Sequence, residues 1–425
     1  MTIEELHSLF LRFPIISTDT RKIDSNSIFF ALKGENFNGN TYAKEALSKG
    51  ACLSIVDEEL HSPNENIILV KNVLITLQKL ANFHRKYCKA KIISITGSNG
   101  KTTTKELINA VISKQYKTIA TKGNLNNHIG VPLTLLSIKE DTEIAVVEMG
   151  ANHKEEIAFL CSIAEPDYGY ITNFGKAHLE GFGSLEGVIQ GKSELYEYLT
   201  ANKKHLFLNA DDPIQKSKLD NYIQKFGFSQ EQKEYYNIEL LSANPFVSIK
   251  VEDTIIESQL IGKYNFTNCC AAIVMGKYFS IPLSLIKEAI ESYIPENNRS
   301  QIIEKQGNKI ILDAYNANPT SMKAALESFS SLKEDTKILF LGDMFELGNT
   351  ANEEHQSIAD LAKKLQFNSV FLIGENFYKT ETTLNKFNSF NSLKAYLKEY
   401  SLPNNSSLLI KGSRGMALER ILDIL

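Results

Sequence analysis

The stretch that decides the fold is Ile92–Thr104, which reads IISITGSNGKTTT. It begins with a short apolar run typical of a buried strand, continues through a glycine-rich turn, and leads into Thr102–Ser113, which predicts a helix. Such a loop directs successive backbone N–H groups at one point, and the helix dipole adds positive potential there. Lys101 can then reach β- and γ-phosphate oxygens, and the Thr102 hydroxyl can bind Mg²⁺. The stretch therefore predicts a nucleoside triphosphate site.

This loop is shorter than the common phosphate-loop pattern G-x-x-x-x-G-K-[ST]. The pattern requires a glycine at position 95, where this chain has Ile95, so the motif contracts to G-x-x-G-K-T-T. An ordinary glycine turn between a strand and a helix is the alternative interpretation, but strand, Gly-Lys-Thr and helix together favour phosphate binding. The predicted ATP-binding residues of the loop are Gly97, Ser98, Asn99, Gly100, Lys101, Thr102 and Thr103.

Length and composition limit the classes of protein to consider. A chain of 425 residues is long enough for two to four domains, and 43% hydrophobic with 23% charged residues is ordinary for a globular protein. A net charge of −4 argues against a nucleic-acid partner. No apolar run approaches the ~20 residues that span a bilayer, and Met1–Glu5 lacks the basic start of a signal peptide. We therefore expect a cytoplasmic protein without a membrane span.

The order of strand and helix signals predicts an α/β protein with three domains, at 1–86, 87–297 and 298–425. Short strand signals such as Ser27–Leu32 and helical stretches such as Tyr42–Gly50 occupy the first part. From Lys91, strands alternate with helices, which predicts a mainly parallel sheet with helices on both faces. The predicted strands of this central series are Ile92–Thr96, Ile144–Glu148, Asp167–Thr172 and His205–Asn209.

A second alternating series begins near Ile302 and predicts another doubly wound sheet. Between the two series, Tyr235–Ile261 is β-rich and predicts an antiparallel extension of the central sheet. Residues 295–298, Pro-Glu-Asn-Asn, lie where the two series meet and predict a hinge. Two helices are expected before this hinge, at Thr267–Phe279 and Ile281–Tyr293, and the strands after it are Lys309–Asp313, Lys337–Gly342, Ser369–Gly374 and Ser407–Lys411.

Three polar side chains follow the central strands. Glu148 ends an apolar strand, and ligands bind at the carboxyl ends of parallel strands, so it can hold Mg²⁺ against the phosphates. A solvated glutamate at a strand end is the alternative interpretation. His178 lies in the glycine-rich loop Asn173–Ser184, although Mg²⁺ usually prefers oxygen ligands. Lys192 falls on a predicted helix and has the local sequence of an ordinary surface lysine.

Together these motifs resemble those of the Mur ligases along nearly the whole chain. The order matches that family: T-G-S-N-G-K-T-T, then V-V-E-M-G-A, then N-F-G-K-A-H-L-E-G-F-G-S, then the lysine at 192. The resemblance implies a small α/β UDP-binding domain, a central P-loop ATPase domain with a parallel sheet, and a C-terminal Rossmann-like domain. It also implies that Lys192 carries a CO₂-derived carbamate that holds a second Mg²⁺, with His178 and Glu148 bound to the same metals.

Four further stretches resemble the family member that adds D-alanyl-D-alanine. They are Asn124–Thr134, Asp313–Met322, Gly342–Gly348 followed by His355, and Lys411–Arg414. The D-N-P-R motif of the diaminopimelate-adding relative is not found in the sequence. By this resemblance the substrates are UDP-N-acetylmuramoyl-tripeptide and D-alanyl-D-alanine, contacted by Asn126, Asn127, Asn316 and Asn318.

The same resemblance assigns further contacts to ATP and to the UDP end of the substrate. Asn268 and Arg299 would contact the adenine and phosphates, and Asp313 the ribose; a planar guanidinium suits phosphate oxygens. The N-terminal domain would hold UDP through Thr20, Arg21 and Lys33. In that domain Asn-Gly-Asn at 38–40 replaces the more usual Asp-Gly-His, and ordinary turn chemistry is the alternative interpretation.

The predicted activity is an ATP-dependent, ADP-forming amide-bond ligase of peptidoglycan precursor synthesis that acts through an acyl phosphate, with two Mg²⁺, as a monomer. A folylpolyglutamate synthase-like ligase is the alternative within the enzymes, because it shares the loop and the chemistry. A nucleotide-dependent switch that hydrolyses ATP without ligation is the alternative outside them. Closure of the C-terminal domain is expected, since an acyl phosphate needs protection from water.

Overall fold

The fold is a chain of three α/β units, each built on its own sheet. The computed structural model describes residues 1–59, 64–296, 298–400 and 402–425. Within these ranges the three main sheets have four, seven and six strands, and most of their neighbouring strands are parallel. The predicted α/β class with parallel sheets is confirmed. No helix in the described ranges is long and apolar enough to span a bilayer.

The N-terminal unit is a four-stranded parallel sheet with the order β1-β2-β5-β6 and a separate two-stranded hairpin. Strands β2 and β5 are buried along their whole length, as expected for a parallel sheet covered on both faces. The elements of the unit are α1 (Ile3–Arg12), β1 (Ile15–Ser17), β2 (Ser27–Phe30), β3 (Lys33–Gly34), β4 (Phe37–Asn38), α2 (Ala43–Ser48), β5 (Leu53–Val56), β6 (Ile67–Leu69) and α3 (Val73–Cys88).

The central unit is a seven-stranded parallel sheet with the order β13-β12-β11-β10-β7-β9-β8. The direction of strand order changes around β7, so the loop after β7 opens between the ends of β9 and β10, where doubly wound sheets bind ligands. Its elements are β7 (Lys91–Thr96), α4 (Lys101–Ile112), β8 (Thr118–Ala120), α5 (Gly130–Leu136), β9 (Ile144–Glu148), α6 (Glu156–Ala164), β10 (Tyr168–Ile171), α7 (Leu179–Phe182), α8 (Leu185–Ala201), β11 (His205–Asn209), α9 (Pro213–Leu219), β12 (Lys225–Ser229) and β13 (Tyr236–Asn237).

The β-rich segment after β12 differs from the prediction of one antiparallel extension. Its first strand, β13, pairs parallel with β12 and completes the central sheet. The rest forms a separate three-stranded antiparallel sheet that packs its apolar face with α4, α10 and α11. The sequence pattern showed β propensity but not which strands would pair. This part contains β14 (Glu239–Ala243), β15 (Phe246–Val251), β16 (Thr254–Ile261), α10 (Tyr264–Tyr278) and α11 (Leu283–Glu291).

The C-terminal unit is a six-stranded sheet with the order β17-β18-β22-β19-β20-β21. Only β17 is antiparallel to its neighbour among the described strand pairs of this sheet; the four predicted strands are all present. Its elements are β17 (Gln301–Lys305), β18 (Asn308–Asp313), α12 (Pro319–Ser331), β19 (Lys337–Gly342), α13 (Ala351–Lys364), β20 (Ser369–Ile373), α14 (Glu375–Tyr378), β21 (Asn385–Phe387), α15 (Phe390–Leu397) and β22 (Ser407–Lys411).

Apolar cores cross from one unit to the next. Helix α3 packs against α5 and α6, so one core includes the N-terminal sheet and one face of the central sheet. Leu179, Phe182 and Val188 of the central unit share a core with α12 and α13. The predicted boundary after residue 86 falls in the last turn of α3. Asn297, in the predicted hinge, lies outside the described residues.

Candidate active site

A cavity of about 890 Å³ lies between the carboxyl edge of the central sheet and the C-terminal unit. It is the place where most of the predicted site residues meet. The predicted residues that line it are Ser98, Asn99, Gly100, Lys101, Thr102, Thr103, Asn126, Asn127, Glu148, His178, Asn268, Arg299, Asp313, Asn316 and Asn318. Residues from two units therefore enclose one volume, large enough for a nucleotide and part of a second substrate.

The phosphate loop requires glycine at two positions. Gly97 has φ +144°, and a Cβ there would lie 2.0 Å from Oγ1 of Thr172 on the next strand. Gly100 has φ +78°, and a Cβ there would lie 2.6 Å from Oδ1 of Asn268. Both glycines thus combine a left-handed backbone with close neighbours, and α4 begins directly after the second. Gly97 thus allows the loop to approach Thr172 closely, and Gly100 allows it to approach Asn268.

Lys101 is the first residue of α4, and its side chain folds back over the loop. Its Nζ donates a hydrogen bond to the carbonyl oxygen of Gly97 at 2.7 Å. Desolvation lowers the pKa of Lys101, whereas the nearby Glu148 carboxylate acts to raise it. A bound triphosphate would bring further negative charge beside this ammonium group and favour its charged form.

Glu148 is buried at the end of β9 and is held from three directions. Its carboxylate accepts hydrogen bonds from Oγ1 of Thr102 at 2.9 Å and from Nδ2 of Asn126 at 2.8 Å. Its backbone N–H donates to Oγ1 of Thr121 at 2.9 Å. The structure places Glu148 beside the phosphate loop, with its carboxylate fixed by hydrogen bonds rather than solvated.

The donors at this point fit magnesium. Thr102 and Glu148 offer hard oxygen ligands side by side, and Mg²⁺ is commonly bound by one or two protein oxygens together with phosphates and water. The described residues contain no group of three or more His, Cys, Asp or Glu side chains placed to hold a metal. This donor set therefore fits a magnesium ion that arrives with a nucleotide.

His178 lines the cavity from the loop before α7, in a left-handed backbone conformation with φ 52°. Its Nδ1 lies against the carboxylate of Glu346, from the C-terminal unit. The close approach of His178 lowers the pKa of Glu346. The structure thus brings His178 to the site but pairs it with Glu346, a carboxylate that no sequence motif predicts at this position.

Lys192 lies behind the cavity rather than on its wall. It occupies α8 as predicted, but its side chain is 0% exposed. Its Nζ donates to the carbonyl oxygen of Ala151 at 2.8 Å and lies 5.1 Å from the ring centre of Phe182. Burial lowers the pKa of Lys192 well below its ordinary value, with a further contribution from the charge of Lys101. Burial therefore favours the neutral amine over the ammonium form.

The C-terminal unit supplies a second group of charged residues. The guanidinium carbon of Arg299 lies 3.7 Å from the ring centre of Tyr315, which holds the group flat against the ring. Asp313 accepts a hydrogen bond from Nζ of Lys411 at 2.5 Å and another from the backbone N–H of Ser300 at 3.3 Å. Asp313, Lys411, Arg299 and Tyr315 all line the cavity.

Hydrogen bonds and an ion pair join the two walls. Nδ2 of Asn318 donates to Oδ1 of Asn99 in the phosphate loop at 2.7 Å, while Oδ1 of Asn318 caps α12. Nζ of Lys176, in the central unit, lies 2.6 Å from Oε1 of Glu354 in the C-terminal unit. The backbone N–H of Lys176 donates to Oγ1 of Thr320, also in the C-terminal unit, at 2.9 Å. The C-terminal unit is therefore connected directly to the loop that would hold the phosphates.

Asn127 and Asn316 line the cavity but bond mainly to their own loops. Oδ1 of Asn127 accepts the backbone N–H of Gly130 at 2.9 Å and so shapes the start of α5. Oδ1 of Asn316 accepts the backbone N–H of Ala317 at 2.9 Å. These contacts fix the loops on which the predicted substrate-binding side chains lie.

The three residues predicted to hold UDP lie apart from this cavity. Arg21 is 86% exposed and pairs with Asp19 at 2.8 Å. Lys33 lies within 2.9 Å of both Asp57 and Glu58. The backbone oxygen of Thr20 accepts a hydrogen bond from Lys49. The structure does not bring these residues together with the phosphate loop.

Sequence reasoning missed several residues of the cavity wall. Asn173 lines it and bonds to the phosphate loop, with its Oδ1 accepting the backbone N–H of Asn99 at 3.1 Å. Tyr264, Tyr315 and Glu346 also line it. Their positions inside or next to conspicuous motifs were the available signal, but aromatic and amide side chains in loops have no fixed spacing that marks a ligand site.

Comparison with known proteins gives the same domain order. Family models match at residues 12–97 (Mur ligase family, catalytic domain), 95–276 (Mur ligase middle domain) and 298–414 (Mur ligase, glutamate ligase domain). A UDP-N-acetylmuramoyl-tripeptide–D-alanyl-D-alanine ligase of Bacillus subtilis (strain 168) is 35% identical over 420 residues, covering 96% of this chain and 92% of the relative.

Solved structures agree with the sequence relatives. A crystal structure of MurF from Acinetobacter baumannii is 29% identical with a TM-score of 0.85, covering 96% of this chain and 92% of that one. MurF ligase from Thermotoga maritima in complex with ADP is 25% identical with a TM-score of 0.85, covering 97% of each chain. Because the three domain models follow in order and the relatives span almost the full length, this chain belongs to the Mur ligase family.

Proposed function

We propose that this chain is an ATP-dependent ligase that joins UDP-N-acetylmuramoyl-tripeptide to D-alanyl-D-alanine and releases ADP and phosphate, in peptidoglycan precursor synthesis. The full-length relative from Bacillus subtilis bears the name of that activity, and a similar structure was solved with ADP. The observation that carries the proposal is the single cavity shared by the phosphate loop, Glu148 and the C-terminal residues Arg299 and Asp313.

The chemistry explains why such a cavity is needed. A carboxylate does not react with an amine at neutral pH, because its oxygen is a poor leaving group. Transfer of the γ-phosphoryl group to the terminal carboxylate of the tripeptide gives an acyl phosphate. The amine of D-alanyl-D-alanine then attacks the acyl carbon, and phosphate leaves. The protein must align three reactants and exclude water, which is a task of positioning and electrostatics.

Different residues around the cavity would position the reactants and neutralise charge. The loop Gly97–Thr103 and the ammonium of Lys101 would hold the triphosphate and stabilise charge on the transferred group. Arg299, held against Tyr315, would contact the nucleotide from the C-terminal side. Thr102 and Glu148 would hold Mg²⁺, which neutralises phosphate charge when bound. The substrate loops carrying Asn126, Asn127, Asn316 and Asn318 would align the tripeptide and the dipeptide.

The second metal and the lysine carbamate form the finer part of the proposal. The amine of Lys192 is buried and its lowered pKa favours the neutral form, which suits attack on CO₂; the attack forms an N–C bond and releases one proton to give an anionic carbamate. Two carbamate oxygens would add the hard ligands that a second magnesium requires. His178 and Glu148 would bind the same metals. His178 would then give up its contact with Glu346 in favour of a metal ion.

We also propose that the enzyme acts as a monomer in the cytoplasm. One chain supplies both walls of the cavity, so no second copy is needed to complete it. ATP and the UDP-linked substrate are cytoplasmic metabolites. The domain boundaries at 86/87 and 297/298 stay predictions, and the N-terminal residues Thr20, Arg21 and Lys33 stay the proposed UDP contacts.

Product analysis tests the function. Purified protein would be incubated with ATP, Mg²⁺, D-alanyl-D-alanine and UDP-tripeptides carrying either diaminopimelate or lysine, and phosphate and amide product would be measured. We expect equal amounts of both products, only when both substrates are present. Phosphate without amide would indicate a nucleotide switch, and ligation of a folate to glutamate instead would indicate a folylpolyglutamate synthase-like enzyme.

A further inference from the structure

Lys105 is a buried lysine for which the proposed reaction has no use. It lies one helical turn after Lys101 on α4, and its side chain is 2% exposed. Lys105 is not one of the described residues that line the cavity. Burying an ammonium group is costly unless the group is paired and hydrogen-bonded. Its contacts should therefore explain why the chain keeps a charge there.

The main contact of Lys105 is with the edge of the central sheet. Its Nζ donates to the carbonyl oxygen of Thr121 at 2.6 Å and lies 3.6 Å from Oε1 of Glu106. Thr121 directly follows β8, which is the edge strand of the sheet, and its N–H donates to Val146 of β9 at 3.0 Å. Lys105 thus anchors the carbonyl group that directly follows the edge strand, with a charge-assisted hydrogen bond.

Thr121 also contacts Glu148, the proposed magnesium ligand. Its Oγ1 accepts the backbone N–H of Glu148 at 2.9 Å. The Glu148 carboxylate in turn meets Thr102, from the same helix as Lys105, and Asn126, five residues after Thr121. The contacts form a closed ring from α4 through the sheet edge to Glu148 and back to α4.

We propose that Lys105 is a positioning residue that sets the place of the Glu148 carboxylate through Thr121. The carbonyl of Thr121 is fixed by the ammonium group, so its hydroxyl stays under the Glu148 backbone and the carboxylate stays beside Thr102. Loss of this constraint releases the Glu148 carboxylate from its place beside Thr102. The affinity for magnesium nucleotide falls, while contacts to the UDP end are unaffected. The inference rests on the proposed function, from which it takes the role of Glu148.

Calorimetric titration of ADP at a series of free Mg²⁺ concentrations tests this role without the reaction. The variants are Thr121→Val, which removes the hydroxyl at constant shape, its control Thr121→Ser, and Lys105→Met and Lys105→Gln. We expect Thr121→Val and Lys105→Met to raise the Mg²⁺ concentration for half-maximal ADP binding by about tenfold, as is typical for lost partners of metal ligands. Thr121→Ser should bind as the wild type does.

Steady-state kinetics supply the second readout. Each folded variant should keep its KM for UDP-tripeptide within about twofold, and the double variant Lys105→Met/Thr121→Val should be no worse than either single one, because both act through one route. Wild-type Mg²⁺ dependence in a folded Lys105 variant or in Thr121→Val would overturn the inference. So would failure of both Lys105 variants to fold, since Lys105 would then be a structural residue. Wild-type protein that binds magnesium ADP but makes no amide would contradict only the proposed function.

Discussion

The cavity beside the phosphate loop and the N-terminal surface predicted to hold UDP are built in opposite ways. At the cavity, Lys101 and Glu148 are held by backbone groups and neighbouring side chains before any ligand arrives. At the N-terminal surface, Arg21 and Lys33 are at least partly exposed and already paired with carboxylates. The first region is organised for a ligand, whereas in the second a ligand would have to replace existing ion pairs.

This difference predicts where mutations matter most. Preorganised charges in a water-poor site can contribute several kcal/mol to a transition state, whereas exposed ion pairs contribute about 1 kcal/mol or less. Substitutions at the phosphate loop should therefore affect kcat strongly, and substitutions at the N-terminal surface should affect only substrate binding, and weakly. Four substitutions, in order of expected effect, test this contrast.

The largest effect is expected for Lys101→Met. Removal of the ammonium group leaves the transferred phosphoryl charge without its nearest protein cation, so kcat should fall by about 10³-fold. Phosphate release and circular dichroism would be measured together, with Lys218→Met, at an exposed lysine, as the matched control. A folded Lys101→Met protein with near wild-type ligation would remove the phosphate loop from the mechanism.

Lys192→Ala should come second, with a loss of about 10²-fold or more in kcat. Burial and the nearby charge of Lys101 lower the pKa of Lys192, which favours the neutral amine, the form that reacts with CO₂. A short-chain carboxylic acid in the buffer should partly restore activity by placing a carboxylate in the space left, and depletion of bicarbonate should slow the wild type.

Ethylamine is the control for that rescue, because it returns an amine but no anionic oxygen. Restoration by ethylamine, or full activity of Lys192→Ala without any additive, would contradict the carbamate. Rescue by the acid and not by ethylamine is the expected result, and it would support a metal ligand at position 192.

Asn318→Ser should have a moderate effect, about tenfold on kcat, the value of one well-placed hydrogen bond. Serine still caps α12 but is too short to reach Asn99, so the connection between the phosphate loop and the C-terminal unit is lost. Small-angle scattering should show compaction of the wild type with ATP and UDP-tripeptide, and less in the variant. An unchanged radius of gyration in the wild type would argue against closure.

Lys33→Met should have the smallest effect, a rise of about threefold in the KM for UDP-tripeptide with kcat unchanged. The exposed Lys44→Met is the matched control. A large loss of kcat at Lys33 would show that the N-terminal surface takes part in the chemistry, and the contrast between the two regions would then be wrong.

The sequence predicted the cavity better than its surroundings, for a physical reason. A phosphate loop uses consecutive backbone groups, so its function can be predicted from neighbouring residues such as Gly97, Gly100 and Lys101. The sheet ends that place Glu148 beside it follow from strand order. Contacts across units, such as His178 with Glu346, join residues far apart in the chain, and no local pattern predicts them.

The secondary structure shows the same limit. The sequence predicts the strands and helices of the central and C-terminal series closely, because buried apolar runs and their alternation with helical stretches are local features. The strand pairing of the segment after β12 is not predicted by the sequence. Whether β13 joins the central sheet or the antiparallel one depends on tertiary packing. The burial of Lys192 was likewise hidden, since its local sequence is that of an exposed helix face.

The central claim is that the cavity transfers a phosphoryl group from ATP to the substrate carboxylate before the amide forms. Ligation with UDP-tripeptide labelled by ¹⁸O in its terminal carboxylate tests this directly, with mass spectrometry of the released phosphate. The account predicts one ¹⁸O atom in each phosphate, because the carboxylate oxygen that attacks phosphorus leaves with it. Amide formation with unlabelled phosphate would contradict the account.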